Sequence, residues 1–279
     1  MNDYIKTGVI GHPISHSKSP LIHSHWIDTY HCKGEYKAID IAPEKLKEGV
    51  QALIDEGYLG FNVTVPHKRA IMDLCSDIDD NARAIGAVNT VTIENGQLFG
   101  QNTDVYGFIE NLRNASRNFG FSWAIEHGPA VVLGAGGAAR AAVYGLLRED
   151  VPEIILTNRT REKALDIATL DPSRIRVVDW AERSNMLQGA NLLVNTTSLG
   201  MAGKGNLEMD FTRAHEDLLV HDIVYNPLYT DFLRDARDED LRILTGIGML
   251  LYQAKPAFEQ WYDVTPEVTQ ILEDKVLSA

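Results

Sequence analysis

At 279 residues the chain can form one large domain or two ordinary ones, and its 44% hydrophobic and 23% charged composition is that of a globular protein. A formal net charge of −13 argues against a nucleic-acid partner, because a phosphate backbone needs a basic face. Cys32 and Cys75 are too few for a disulfide framework and are not spaced for zinc. The N-terminal MNDYIKTGVIG lacks the apolar core of a signal peptide, and no stretch approaches membrane-span length. The expectation is a cytoplasmic protein without a membrane partner, monomeric or homodimeric. The Asn-x-Ser/Thr triplets at Asn62 and Asn158 are taken as chance.

In chain order, YIKTGVIG predicts a strand and SPLIHSHWIDTY a helix with Pro20 in its first turn and Ser19 as its cap. GEYKAIDI predicts a second strand, APEKLKEGVQALIDEG an amphipathic helix closed by Gly57, and LGFNVTV a third strand stopped by Pro66. Apolar runs alternating with helices indicate βαβ units in a mostly parallel sheet. Asp77, Asp79 and Asp80 suit a helix start with acids in its first turn. GAVNTVTIENGQLFGQNTD predicts a hairpin turning at Asn95-Gly96.

A linker helix, DVYGFIENLRNA, leads through a polar stretch ending near Pro129, after which the pattern restarts. AVVLGAGGAARAAVYGLL is strand, glycine turn and helix. EIILTNRT, IRVVDW, ANLLVNTTS and LLVHDIVYN predict further strands, with REKALDIATL as a crossover helix. The tail segments GMLLYQAKPAFEQWYDV and PEVTQILEDKVL are helical in pattern. The fold class is α/β with two domains: a mixed, mostly parallel N-terminal domain and a second domain of Rossmann type.

The glycine turn reads Gly134-x-Gly136-x-x-Ala139 between a strand and a helix. Gly134 permits a tight turn, Gly136 a close backbone approach to a pyrophosphate, and Ala138 and Ala139 close helix packing. About 20 residues on, an NAD-specific site places Asp or Glu on the ribose hydroxyls. Asn158, Arg159 and Thr160 occupy that position here, followed by Arg161 and Lys163. In so acidic a chain this local basic cluster favours NADP.

Bound NADP implies hydride transfer, which needs a proton donor beside the reacting carbonyl. No tyrosine has a lysine four residues on, zinc spacing is absent, and Pro13 prevents a helical His12–His16 pair, so no metal is expected. The first domain instead sets polar groups where strands end or helices begin: Ser15, Ser17 and Ser19; Thr64 and Lys68; Asn89; Asn102, Thr103 and Asp104. Hydroxyls and amides with one cation and one anion suit a small polyhydroxylated acid.

The motifs GHPISHSKSP, NVTVPHK, GAVNT, QNTD, GAGGAAR, NRT, NTTSLGM and GIGMLLYQA, in this order, resemble the shikimate dehydrogenase family over nearly the whole chain. The resemblance implies NADP-dependent, reversible reduction of 3-dehydroshikimate to shikimate, in the chorismate route to aromatic amino acids. It implies that Ser17 and Ser19 hold the substrate carboxylate, helped by Thr64 and Tyr225. Asn89, Asp104 and Gln253 would bind ring hydroxyls, and Lys68 with Asp104 would form the catalytic pair. Gly134, Ala135, Gly136, Gly137 and Ala138 would cradle the pyrophosphate. Asn158, Arg159 and Thr160, with Arg161 and Lys163, would take the adenosine phosphate, and Asp80, Ile223 and Gly246 would line the cofactor.

The resemblance also implies a split first domain, residues 1–104 and 246–279, around a dinucleotide domain of residues 105–245. Relatives in the family often carry arginine where this chain has Lys163, which offers charge without a planar fork. Whether Lys68 delivers the proton or holds a fixed charge stays open. Alternatives are a quinate/shikimate dehydrogenase with broader cofactor use and a non-catalytic NADP-binding regulatory protein. A glutamyl-tRNA reductase needs a reactive cysteine, and neither Cys32 nor Cys75 lies in a suitable motif.

Overall fold

The computed structural model describes residues 4–119 and 128–279. The polar stretch expected before Pro129 falls largely on residues outside this set. The chain divides into two compact units, one running to Asp104 and resuming at Leu251–Ala279, the other Val105–Leu250.

In the first unit β1 (Ile5–Gly11), α1 (Ser19–Thr29), β2 (Gly34–Asp40), α2 (Leu46–Asp55) and β3 (Gly60–Val63) follow the expected alternation. Next come β4 (Asp77–Ile78), α3 (Asp80–Ile85), β5 (Thr90–Glu94) and β6 (Gln97–Gln101). Among the described residues these strands form one sheet in the order β2-β1-β3-β5-β6-β4. Strands β1, β2 and β3 are parallel, β5 runs antiparallel to β3 and β6, and β4 lies parallel to β6. The β5–β6 reversal uses Asn95 and Gly96 at φ 51° and 77°, the paired left-handed residues of a two-residue hairpin turn. Ile10, Phe61, Val63, Val88 and Val91 bury one core between this sheet and α2.

Ser19 does not cap α1. The cap position is Lys18, and Ser17 Oγ accepts the Ser19 N–H at 3.3 Å. Asp79 does cap α3, its carboxylate accepting Ala82 N–H at 2.7 Å.

The second unit begins in α4 (Asp104–Phe119) and continues through β7 (Ala130–Leu133), α5 (Gly137–Arg148), β8 (Ile154–Thr157), α6 (Arg161–Ala168) and β9 (Ile175–Val178). It is completed by β10 (Leu192–Asn195), β11 (Leu219–Asp222), α7 (Asp231–Asp238) and β12 (Arg242–Leu244). Its sheet is parallel throughout, in the order β12-β11-β10-β7-β8-β9. Counted from β7 this is 6-5-4-1-2-3, the dinucleotide-fold order with its switch point between β7 and β10. Strands buried on both faces explain the unbroken apolar runs that marked them in the sequence.

The tail forms α8 (Ile247–Tyr252), α9 (Lys255–Tyr262) and α10 (Gln270–Leu277). The return to the first unit falls inside α8 rather than at residue 246. The Asn111 amide donates to the Thr245 carbonyl at 3.0 Å, and a Cβ on Gly248 would collide with Asn111, so this stretch stays bound to α4. Helix α10 starts at Gln270 rather than Pro266, because Thr269 Oγ1 accepts Leu272 N–H and sets the cap. Helix α9 packs Phe258 and Trp261 on the first unit, where Trp261 Nε1 donates to Thr92 Oγ1 at 3.3 Å. Tyr262 hydroxyl meets Thr7 Oγ1 at 2.9 Å.

Candidate active site and nucleotide-binding turn

Strand β3 delivers the polar loop at its C-terminal end. Thr64 continues the pairing through its N–H to Ile10 carbonyl at 3.0 Å, and a Cβ on Gly11 would strike Thr64 Cγ2, so only glycine admits this approach. His67 is buried with its ring nitrogen 2.6 Å from the Ile41 carbonyl. Val88 N–H bonds the Lys68 carbonyl at 2.7 Å, tying the lysine backbone to the segment that carries Asn89.

The lysine side chain reaches Asp104, with Nζ 2.7 Å from Oδ2. Asn89 Nδ2 donates to the other carboxylate oxygen at 2.8 Å and also faces Thr103 Oγ1 at 3.0 Å and Gln253 Oε1 at 3.4 Å. Its own carbonyl oxygen accepts Thr103 N–H at 2.9 Å. Asn102 Oδ1 accepts the Asp104 N–H at 3.0 Å, and the same asparagine donates to the Ala87 carbonyl at 2.8 Å. Four polar side chains distant in sequence, Lys68, Asn89, Asp104 and Gln253, thus meet within the first unit, with the ion pair partly open to solvent.

A second buried chain leads from this cluster toward the start of α1. Asn62 Nδ2 donates to the Asn89 carbonyl at 3.2 Å and Thr90 Oγ1 at 3.0 Å, and Tyr36 hydroxyl donates to Asn62 Oδ1 at 2.6 Å. Burial pushes the Tyr36 phenol well above its ordinary value, and Ser19 beside it pulls the other way. Asn62 is therefore a buried member of the site's support, which agrees with reading its Asn-x-Thr triplet as chance. Neither Tyr36 nor Asn62 was singled out as functional from the sequence. For Asn62 the signal was a polar residue at a core position of an otherwise apolar strand.

In the second unit, Gly134 adopts φ 112° and a Cβ there would lie 2.6 Å from Thr196 Oγ1. Gly136 caps α5 without a side chain, and both Gly136 and Gly137 face open space. Ala135 and Ala138 are half-buried and Ala139 is fully buried against the core. The first amides of α5 are thus presented to a ligand, which is the donor set a dinucleotide pyrophosphate needs.

At the end of β8, Asn158 Nδ2 donates to the Thr160 carbonyl at 2.8 Å, while Arg159, Thr160 and Lys163 stand exposed. Arg161 has another partner: Nη1 lies 2.6 Å from Asp179 Oδ1. Ile223 and half-buried Tyr225 follow β11, where the buried Asp222 fixes the turn. Its carboxylate accepts Thr230 Oγ1 at 2.6 Å, Val224 N–H at 3.0 Å and Asn195 Nδ2 at 3.0 Å. Burial pushes that carboxyl up to about 6 despite these donors. Gly246 sits so close to Ile223 and Val224 carbonyls that no Cβ fits. Asp80 lies in the first unit, exposed in the first turn of α3. Among the described residues no group of three or more metal-ligating side chains converges.

Residues 9–91 match the family model of the shikimate dehydrogenase substrate binding domain, and residues 114–225 that of shikimate / quinate 5-dehydrogenase. The shikimate dehydrogenase (NADP(+)) of Ruegeria sp. is 44% identical over 271 residues, covering 97% of both chains. That of Paramagnetospirillum magneticum is 47% identical over 272 residues with the same coverage. Among solved structures, Thermus thermophilus shikimate 5-dehydrogenase in complex with NADP(H) and shikimate superposes with TM-score 0.84 at 34% identity, covering 98% of each chain. Quinate dehydrogenase from Corynebacterium glutamicum in complex with NAD gives TM-score 0.90 at 28% identity over the full length of both. With near full-length identity above 40% joined to this fold and these motifs, the chain belongs to the shikimate dehydrogenase family.

Proposed function

We propose that this protein is an NADP-dependent oxidoreductase that reversibly reduces 3-dehydroshikimate to shikimate, in the chorismate route to aromatic amino acids. The observation that carries the reading is the Lys68–Asp104 ion pair at 2.7 Å, set among the amides of Asn89 and Gln253. Curated relatives named for this activity, 41–47% identical over nearly the whole chain, supply the substrate.

The Gly134–Ala138 turn with its uncapped helix start fits a dinucleotide, and the reduced cofactor, NADPH, would supply the hydride for ketone reduction there. Lys68 holds a proton at Nζ, oriented by Asp104 Oδ2, and gives it to the alkoxide that forms from the ring ketone. Asp104 has its second oxygen fixed by Asn89, so the carboxylate cannot swing away as charge develops at the substrate. Asn89, Asp104 and Gln253 bind ring hydroxyls. Ser17, Ser19 and Thr64 hold the substrate carboxylate with Tyr225. Asp80, Ile223 and Gly246 line the cofactor, and Asn158, Arg159, Thr160 and Lys163 receive its adenosine phosphate. The proposed setting is the cytoplasm, with the protein acting as a monomer or homodimer. No described helix is long and apolar enough to cross a membrane.

Quinate activity is the second reading, suggested by the shikimate / quinate family model and by the structural likeness to the Corynebacterium enzyme. The lower identity of that enzyme and the basic cluster after β8 place it behind shikimate. Initial rates with shikimate against quinate, each with NADP and NAD, test the choice. The expected order has shikimate with NADP fastest; faster turnover of quinate with NAD overturns it.

A further inference from the structure

The basic residues after β8 differ in their partners. Arg161 Nη1 binds Asp179 Oδ1 at 2.6 Å and Nη2 lies 3.4 Å from the Val177 carbonyl, in a pair exposed on both sides. Arg159 and Lys163 remain exposed at the helix start. A further cation comes from the glycine motif itself. Arg140, in the first turns of α5, places Nη1 2.7 Å from Asp166 Oδ2 on α6. Asp166 follows Lys163 by three positions on α6, so these two share a face of the helix, and Arg159 stands just before the helix start. The ion pair therefore carries a guanidinium from the pyrophosphate turn to the face that begins at the adenosine-phosphate residues.

We propose that Arg140 is a specificity-determining residue for the adenosine 2′-phosphate, exchanging Asp166 for the phosphate when NADP binds. The proposal rests on the reading of the second unit as an NADP site. Asp166 is 73% and Arg140 24% exposed, so the carboxylate side of the pair stands in water, where a phosphate can compete for the guanidinium. A phosphate monoester carries about −1.5 to −2 charges and three acceptor oxygens, against one charge on a carboxylate. Lys163 offers a point charge, whereas Arg140 offers a planar fork that can grip a phosphate with two parallel hydrogen bonds.

Calorimetric titration of adenosine 2′,5′-bisphosphate and of 5′-AMP into wild type, R140A, R140K and D166N tests this without turnover. R140A is expected to weaken the bisphosphate about tenfold and leave 5′-AMP within twofold, and R140K to recover only part of the loss. D166N should tighten the bisphosphate severalfold, since it removes both the competitor and a like charge. Equal weakening of both ligands in R140A, or an unchanged ratio in D166N, shows that the pair only ties α5 to α6 and overturns the proposal. A wild-type protein that binds the two nucleotides equally overturns the NADP reading, and the proposal with it.

Discussion

Lys68 Nζ lies 2.7 Å from Asp104 Oδ2, joining the loop after β3 to the first residue of α4 across 36 positions. Asn89 holds the other carboxylate oxygen at 2.8 Å. A short ammonium–carboxylate contact of this kind fixes both the position of the proton and the direction in which it is offered.

Replacing Lys68 with alanine therefore removes a group used as the transition state forms. Steady-state kinetics should show kcat for shikimate reduced about 10²–10⁴-fold, the range of a lost general acid, with KM changed far less. A rise in KM at unchanged kcat would leave Lys68 a binding residue only.

Tyr36 acts at a distance from the reacting atoms. Its hydroxyl donates to Asn62 Oδ1 at 2.6 Å, and Ser19 stands beside the same phenol. Tyr36→Phe strands a buried acceptor, at a cost of about 1–3 kcal/mol in chemical denaturation. It also loosens Ser19, so KM for shikimate should rise more than kcat falls. Wild-type KM with the same loss of stability would make Tyr36 purely structural.

Gly134→Ala forces a Cβ to within 2.6 Å of Thr196 Oγ1 at φ 112°. The strain costs on the order of 1–3 kcal/mol and distorts the turn offered to the pyrophosphate. Denaturant midpoint and NADP affinity should both fall. A variant with wild-type affinity would remove the turn from the cofactor site.

His23 is wholly buried, stacked 4.1 Å from Tyr36, and neither ring nitrogen makes a hydrogen bond. Burial holds its pKa down at about 3, with Asn62 pulling weakly the other way. The folded value is below the ordinary 6.5, so the unfolded chain takes up the proton first and stability is lost as pH falls from about 6.5 toward 3. His23→Phe keeps the stack and removes the titration. Denaturation between pH 7 and 4 should lose less stability in the variant, whereas parallel pH curves would contradict this.

Asp222 works in the opposite sense. Its folded value of about 6 lies above the ordinary 3.8, so its contribution is full below pH 4 and lost as pH rises through 6. The shift corresponds to roughly 2–3 kcal/mol. Asp222→Asn disturbs the hydrogen bonds but cannot titrate. The stability difference between wild type and variant should therefore move against wild type from pH 4 to 6.5, and a constant difference would refute the assignment.

Period and turn chemistry made much of the fold legible. Buried parallel strands read as unbroken apolar runs, Asn95-Gly96 announced its hairpin, and the glycine turn sat between strand and helix. Family motifs made Lys68, Asn89, Asp104 and Gln253 nameable. What the chain order hides is which partner wins locally. Ser17 rather than Ser19 accepts the first free amide of α1, Thr269 delays the start of α10, and Arg161 pairs with Asp179. Asn111 binding Thr245 across 134 positions, which sets where the tail leaves the second unit, has no local signature at all.

The central claim meets its most direct test in the absorbance of NADPH formed by purified protein given shikimate and NADP. The account predicts steady turnover by the wild type that falls at least a hundredfold in Lys68→Ala, about the least that loss of a general acid costs. Folded wild-type protein that binds NADP yet forms no NADPH from shikimate would contradict it.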